Sequence, residues 1–158
     1  MAAIQNPLLT IEEISDFVAR VTVRYTVFQH PLEYWANTIY TEKISLIGDD
    51  PPFNPAAPSG TDMTVAVFPP YSVRNPHASG VPPIFTFERQ RVLHVALNSL
   101  DEDPGFTASG LPRQDEVFGL IKLYYAANVP WPFLNPGPLP QPPAIAATAQ
   151  TNTVTGRW

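Results

Sequence analysis

Alternation between apolar and polar residues is the feature that most restricts how this chain can fold. From Val18 to Val27, Ala19, Val21, Val23, Tyr25 and Val27 fall in one phase, and Arg20, Thr22, Arg24 and Thr26 fall in the other. Successive side chains of a strand point to opposite faces, so this stretch reads as a strand with one buried side. The run Ile84–Gly105 is longer and follows the same rule. Phe85, Phe87, Leu93, Val95 and Leu97 share a phase that only Arg89 and Arg91 interrupt. Two arginines on an apolar face predict a bend or bulge at that point. The run ends in Asp101-Glu102-Asp103-Pro104-Gly105, an acidic turn.

Further extended runs follow from the same alternation, each closed by turn chemistry. Tyr34–Gly48 places Tyr40, Ile44 and Leu46 in one phase and stops at Asp49-Asp50-Pro51-Pro52. Thr61–Phe68 turns Met63, Val65 and Val67 inward and stops at Pro69-Pro70, because proline cannot donate to a ladder. Tyr71–Val81 reads as a loop on the strength of Asn75-Pro76 and Ser79-Gly80. Glu116–Tyr125 is a strand with Val117, Ile121, Leu123 and Tyr125 in one phase and with Phe118 and Leu120 on the other, which suggests cover on both sides. Residues 1–17 form an N-terminal arm in which Thr10 and Glu13 have the spacing of a helix capping box. The seven prolines of 129–143 permit no ladder, so 129–147 reads as a proline-rich strap, and 148–158 as a C-terminal edge strand.

These elements predict an all-β fold: a single antiparallel β-sandwich over residues 1–158, immunoglobulin-like or jelly-roll-like, with about six to eight strands and long proline-rich loops. A closed β-barrel is the alternative. The chain has 158 residues, enough for one core, and 20 of them are proline. Charged residues make up 15%, against about 25% in an ordinary soluble domain. A surface so poor in charge favours contact with a neighbouring molecule, so a homo-oligomer or a partner protein is expected. A net charge of −5 with nine Lys and Arg argues against nucleic acid, whose phosphates need clustered cations. There is no cysteine, which excludes disulfides and thiolate metal sites. No apolar run reaches the ~18 residues of a membrane span, and the N-terminal residues lack a basic leader. A cytoplasmic or particle-associated location follows as the expectation, with leaderless export left open.

The residues that could carry function form two groups. Asp49, Asp50, Asp101 and Asp103 lie in acidic turns, and loop carboxylates at one end of a sandwich can hold calcium, which takes six to eight oxygens. Solvated turns are the plainer reading of the same residues. Trp35, Tyr124, Trp131, Phe133 and Trp158 are candidate contact rings. Tyr34-Trp35 and Tyr124-Tyr125 each set one ring on either face of a strand, Trp131 and Phe133 lie in the strap, and Trp158 ends the chain. Such rings suit a subunit contact or stacking on a glycan. Packing under the strap is their plainer reading. Glu88 and Glu116 are acids on strands, for which cross-strand pairing with Arg24, Arg91 or Lys122 is expected over paired-carboxylate chemistry. His30, His77 and His94 lack metal-ligand spacing, and no nucleophile elbow, phosphate loop or zinc-protease motif occurs. The sequence therefore predicts a non-enzymatic protein that works through its surfaces, a structural or assembly subunit. A calcium- or carbohydrate-binding module is the alternative.

Overall fold

The computed structural model describes residues 1–48, 63–77, 82–101, 109–110, 114–126 and 144–158. They form two antiparallel sheets packed face to face. One sheet holds β1 (Ala3–Ser15), β2 (Val18–Phe28) and β6 (Thr86–Ala96) in the order β1-β2-β6. The other is built on β3 (Ile39–Gly48), β7 (Asp115–Tyr125) and β8 (Ile145–Gly156). Two short strands share the free edge of β3: β4 (Met63–Val67) pairs with one half and β5 (Tyr71–Arg74) with the other. One helix, α1 (Pro31–Trp35), and a 3-10 turn at Leu97–Ser99 complete the described elements. Strands one, two and six against three, seven and eight is the partition of an immunoglobulin-type sandwich.

Burial follows the alternation. Ala19, Val21, Val23, Tyr25 and Val27 of β2 are at most 3% exposed, and they meet Tyr40, Ile44 and Leu46 of β3 and Val117, Ile121 and Leu123 of β7. Hiding this apolar surface from water is the main favourable contribution to folding. Gly119 marks an irregularity in the β7–β8 ladder, where the register shifts between Phe118 and Leu120. Its N–H donates to Thr151 Oγ1 at 2.8 Å, and a Cβ there would stand 3.0 Å from Thr151 Cγ2.

Several sequence expectations are corrected. The N-terminal arm is a full strand. Thr10, Ile11, Glu12 and Glu13 pair with Thr22, Val21, Arg20 and Ala19, so a neighbouring strand outbids the capping-box helix. Residues 71–74 are strand and not loop. Tyr34 and Trp35 belong to α1 and not to β3, because Pro31 opens a helix as readily as it ends a strand. Val67 is 56% exposed rather than inward. The arginine pair causes no bulge: β6 runs beside β2 from Val18↔Ala96 to Phe28↔Thr86 without a register shift. The strap overlaps β8, which starts at Ile145, and residues 127–143 lie outside the described residues. The closing edge strand is present as β8, paired to β7.

The sandwich is open, so the barrel alternative fails. Where β1 meets β8 there is no ladder, and a side chain substitutes for one. The Asn152 amide accepts from Leu9 N–H at 2.8 Å and donates to Leu9 C=O at 3.2 Å. An asparagine amide carries the same donor and acceptor as a peptide unit, so one side chain satisfies both groups of Leu9. Asn152→Ala should therefore lower stability by about 1 kcal/mol. The urea midpoint should fall with an unchanged denaturant slope, and an unaltered midpoint would show that this seam contributes nothing.

Candidate functional site

Three places on the described molecule gather chemistry-bearing side chains. The first lies between the sheets. Glu42 of β3 is 1% exposed, on the same phase as Tyr40 and Ile44. Its carboxylate accepts from the Tyr25 hydroxyl of β2 and from Arg91 Nη1 of β6, and Arg89 Nε lies 3.5 Å away. Arg91 also donates to the Pro69 carbonyl at 3.0 Å, and both guanidinium groups lie over the Tyr71 ring, at 5.2 and 4.9 Å. Glu42 is matched by charge and hydrogen bonds from β2 and β6, which makes the cluster a brace between the sheets, although Arg89 Nε is enclosed without a hydrogen-bond acceptor among the described residues. Arg91 goes to Glu42, so it does not pair with Glu88, the acid expected from the sequence.

The second place is the end of the sandwich that carries α1. Glu33, also 1% exposed, accepts from the Tyr125 hydroxyl of β7 and, at 2.9 Å, from the His30 N–H that opens the helix. The helix closes on a left-handed Asn37 (φ 53°), with Asn37 N–H donating to Tyr34 C=O and Thr38 N–H to Glu33 C=O, both at 2.9 Å. Tyr34 is buried and donates to the His77 carbonyl at 2.6 Å. Asn75, 2% exposed, donates to Gln29 Oε1 at 3.1 Å and to the Ile84 carbonyl at 2.9 Å. On this fixed base Leu32 and Trp35 stand outward, 64% and 66% exposed.

The third place is at the opposite tip, where the β1–β2 turn, the end of β6 and the C-terminal residues form a cleft of about 460 Å³. Asp16, Phe17, Asn98, Asp101 and Trp158 line it. Leu97 N–H donates to Phe17 C=O at 3.0 Å, and Leu100 N–H to Leu97 C=O at 2.9 Å, with Leu100 fully buried beneath. Trp158 lies against Gly156, where a Cβ would stand 2.3 Å from the indole ring. Its Nε1 is enclosed and has no acceptor among the described residues.

The structure thus brings together two residues from the two sequence-derived groups, Asp101 and Trp158, and adds Asp16 and Phe17, which the sequence did not single out. Of the other expected calcium ligands, Asp49, Asp50 and Asp103 lie outside the described residues, as do Trp131 and Phe133. Among the described residues no three His, Asp or Glu side chains form a group able to hold a metal ion. Tyr124 is half-buried on the outer face of β7, with the Lys43 ammonium 5.2 Å from its ring centre. A second cleft, of about 510 Å³, opens where Asn6 (φ 49°) and Pro7 interrupt the β1–β2 ladder, and Arg24, Glu88, Arg89 and Gln90 line it. Among the described residues no helix is long and apolar enough to cross a membrane.

Sequence patterns held a signal for Glu42 that one-strand reading misses. An acid on the inward phase of one strand and two arginines on the inward phase of another are violations of opposite sign, and each satisfies the other. Replacing Glu42 by Gln should cost about 3–5 kcal/mol, because two partly buried guanidinium groups lose their counter-charge. A urea midpoint close to that of the parent protein would refute this. Burial, and then the neighbouring Glu42 carboxylate, raise the Tyr25 phenol well above its ordinary value. Burial raises Tyr40 and Tyr125 likewise, each with Glu33 adding to the effect. The folded state then keeps protons that the unfolded state releases above about pH 10, so stability must fall as pH rises through that range. Absorbance at alkaline pH should show at least these three phenols resisting ionisation until the chain unfolds, and their smooth titration in the folded protein would contradict the burial.

No family model, no curated protein and no solved structure matches this chain.

Proposed function

We propose that the chain is a non-enzymatic β-sandwich that works through its surfaces, as a subunit of a homo-oligomer or larger assembly. The observation that carries this reading is the presentation of Trp35 and Leu32. Two large apolar side chains stand in water on a helix whose other side, Glu33 and Tyr34, is 1% exposed and held by hydrogen bonds. Ile84, 43% exposed, belongs to the same end of the molecule, next to Phe85, whose ring packs 5.2 Å from that of Tyr34. A tryptophan held rigidly costs little further entropy on docking, and such residues dominate the energy of protein interfaces. The low content of charged side chains, 15%, points the same way. A cytoplasmic or particle-associated setting belongs to this reading.

A second reading, a small-ligand or glycan module, is favoured by the cleft at the opposite tip, which the carboxylates of Asp16 and Asp101 line together with the rings of Phe17 and Trp158. Light scattering after size exclusion tests the first reading. The parent chain should run as a multimer, and the double variant Leu32→Ala with Trp35→Ala should shift toward monomer without a lower melting temperature, since both side chains are exposed. A strictly monomeric parent at high concentration would sink it.

A further inference from the structure

The cleft lined by Asp16, Phe17, Asn98, Asp101 and Trp158 has a composition that selects among ligand classes. Among the described residues its two carboxylates belong to no ion pair, and no described Lys, Arg or His lines it. Beside them are the Phe17 ring, 78% exposed, the half-buried Trp158 indole, and the apolar Ala96 and Leu97. An anion is repelled. A neutral sugar could stack on the rings but would cover two carboxylates without compensating their charge, a costly desolvation. A hard cation such as calcium seeks six to eight oxygens and gains nothing from a lining that is half hydrocarbon. An organic cation uses every part: its charge answers the carboxylates, and its alkyl groups lie on the aromatic faces, which attract cations through their quadrupole. The net charge of −5 adds a favourable field for such a ligand.

We infer that this cleft binds an alkylammonium group, either the quaternary headgroup of a small molecule such as choline or the side-chain ammonium of a lysine on a partner. The volume of about 460 Å³ accommodates either. The Leu97 N–H bond to the Phe17 carbonyl and the seat of Trp158 on Gly156 tie the floor of the cleft together. This inference rests on the second reading above and is independent of the α1 surface.

Amide chemical shifts of the isotopically labelled full chain test it, in separate titrations with choline, Nα-acetyl-lysine amide, 3,3-dimethylbutanol (the neutral isostere of choline), glucose and calcium chloride. Choline or the lysine derivative should shift Phe17, Asn98, Asp101 and Trp158, and the neutral isostere should not. Tighter choline binding identifies a free headgroup as the source, and tighter lysine binding a partner's side chain. Phe17→Ala should weaken binding about tenfold. The double variant Asp16→Asn with Asp101→Asn should weaken it more. Asp16 and Phe17 are exposed and Asp101 is half-buried, so an unchanged melting temperature of each variant separates lost binding from lost folding. Equal binding of choline and its isostere would overturn the inference, as would shifts with calcium but with neither ammonium. Shifts with glucose alone would overturn it while leaving a ligand module in place, and silence from all five probes would remove both.

Discussion

Glu42 places a carboxylate inside the sandwich, 1% exposed, and taking an isolated charge out of water costs several kcal/mol even after the protein relaxes. The rest of the molecule is consistent with that expense only because β2 and β6 of the opposite sheet deliver Tyr25, Arg89 and Arg91 to it. Hydrocarbon contacts alone would allow the two sheets to slide, since apolar packing is not directional. A carboxylate that must meet a phenol and two guanidinium groups fixes the register of β3 against β2 and β6. It also explains how β6 carries charge on its inward phase yet runs without a bulge.

A second buried acid organises the end that presents Trp35. Glu33 accepts from the first N–H of its own helix turn and from Tyr125 on a strand distant in sequence, so a helix of five residues, too short to persist alone, is held by tertiary contacts. Exposure of Leu32 and Trp35 is therefore a property of a fixed scaffold. The opposite tip is arranged differently. Its cleft combines carboxylates that form no ion pair among the described residues with accessible rings, whereas the acid at the α1 end is already satisfied. The proposed subunit contact and the proposed ammonium site therefore lie at opposite ends of the sandwich.

The two seams between the sheets are closed by side chains rather than ladders. Asn152 imitates a peptide unit toward Leu9 on one side, and Arg91 reaches the Pro69 carbonyl on the other. Such bridges keep the architecture an open sandwich while limiting bare strand edges, which are templates for unwanted pairing. Inward-pointing Arg89 and Arg91 serve the same end on β6, the edge strand of the smaller sheet.

Period-two alternation was sufficient to place β2, most of β3, β6 and β7, and to assign the inward residues Val21, Ile44 and Leu123, because burial of one face of a strand is a local rule. It was not sufficient for β1 or β5, whose extended conformations come from pairing with β2 and β3 and leave only a weak trace in their own residues. Asp101 and Trp158 could each be singled out from turn chemistry and aromatic character. That they share a cleft with Asp16 and Phe17 could not, because the β1–β2 turn, the end of β6 and the residues after β8 are far apart along the chain. The sequence by itself determined that this protein buries alternate residues of many strands around one apolar layer. Only the tertiary structure decided which charges meet inside that layer and which residues gather at its tip, since a charge is satisfied by neighbours in space and not by neighbours in sequence.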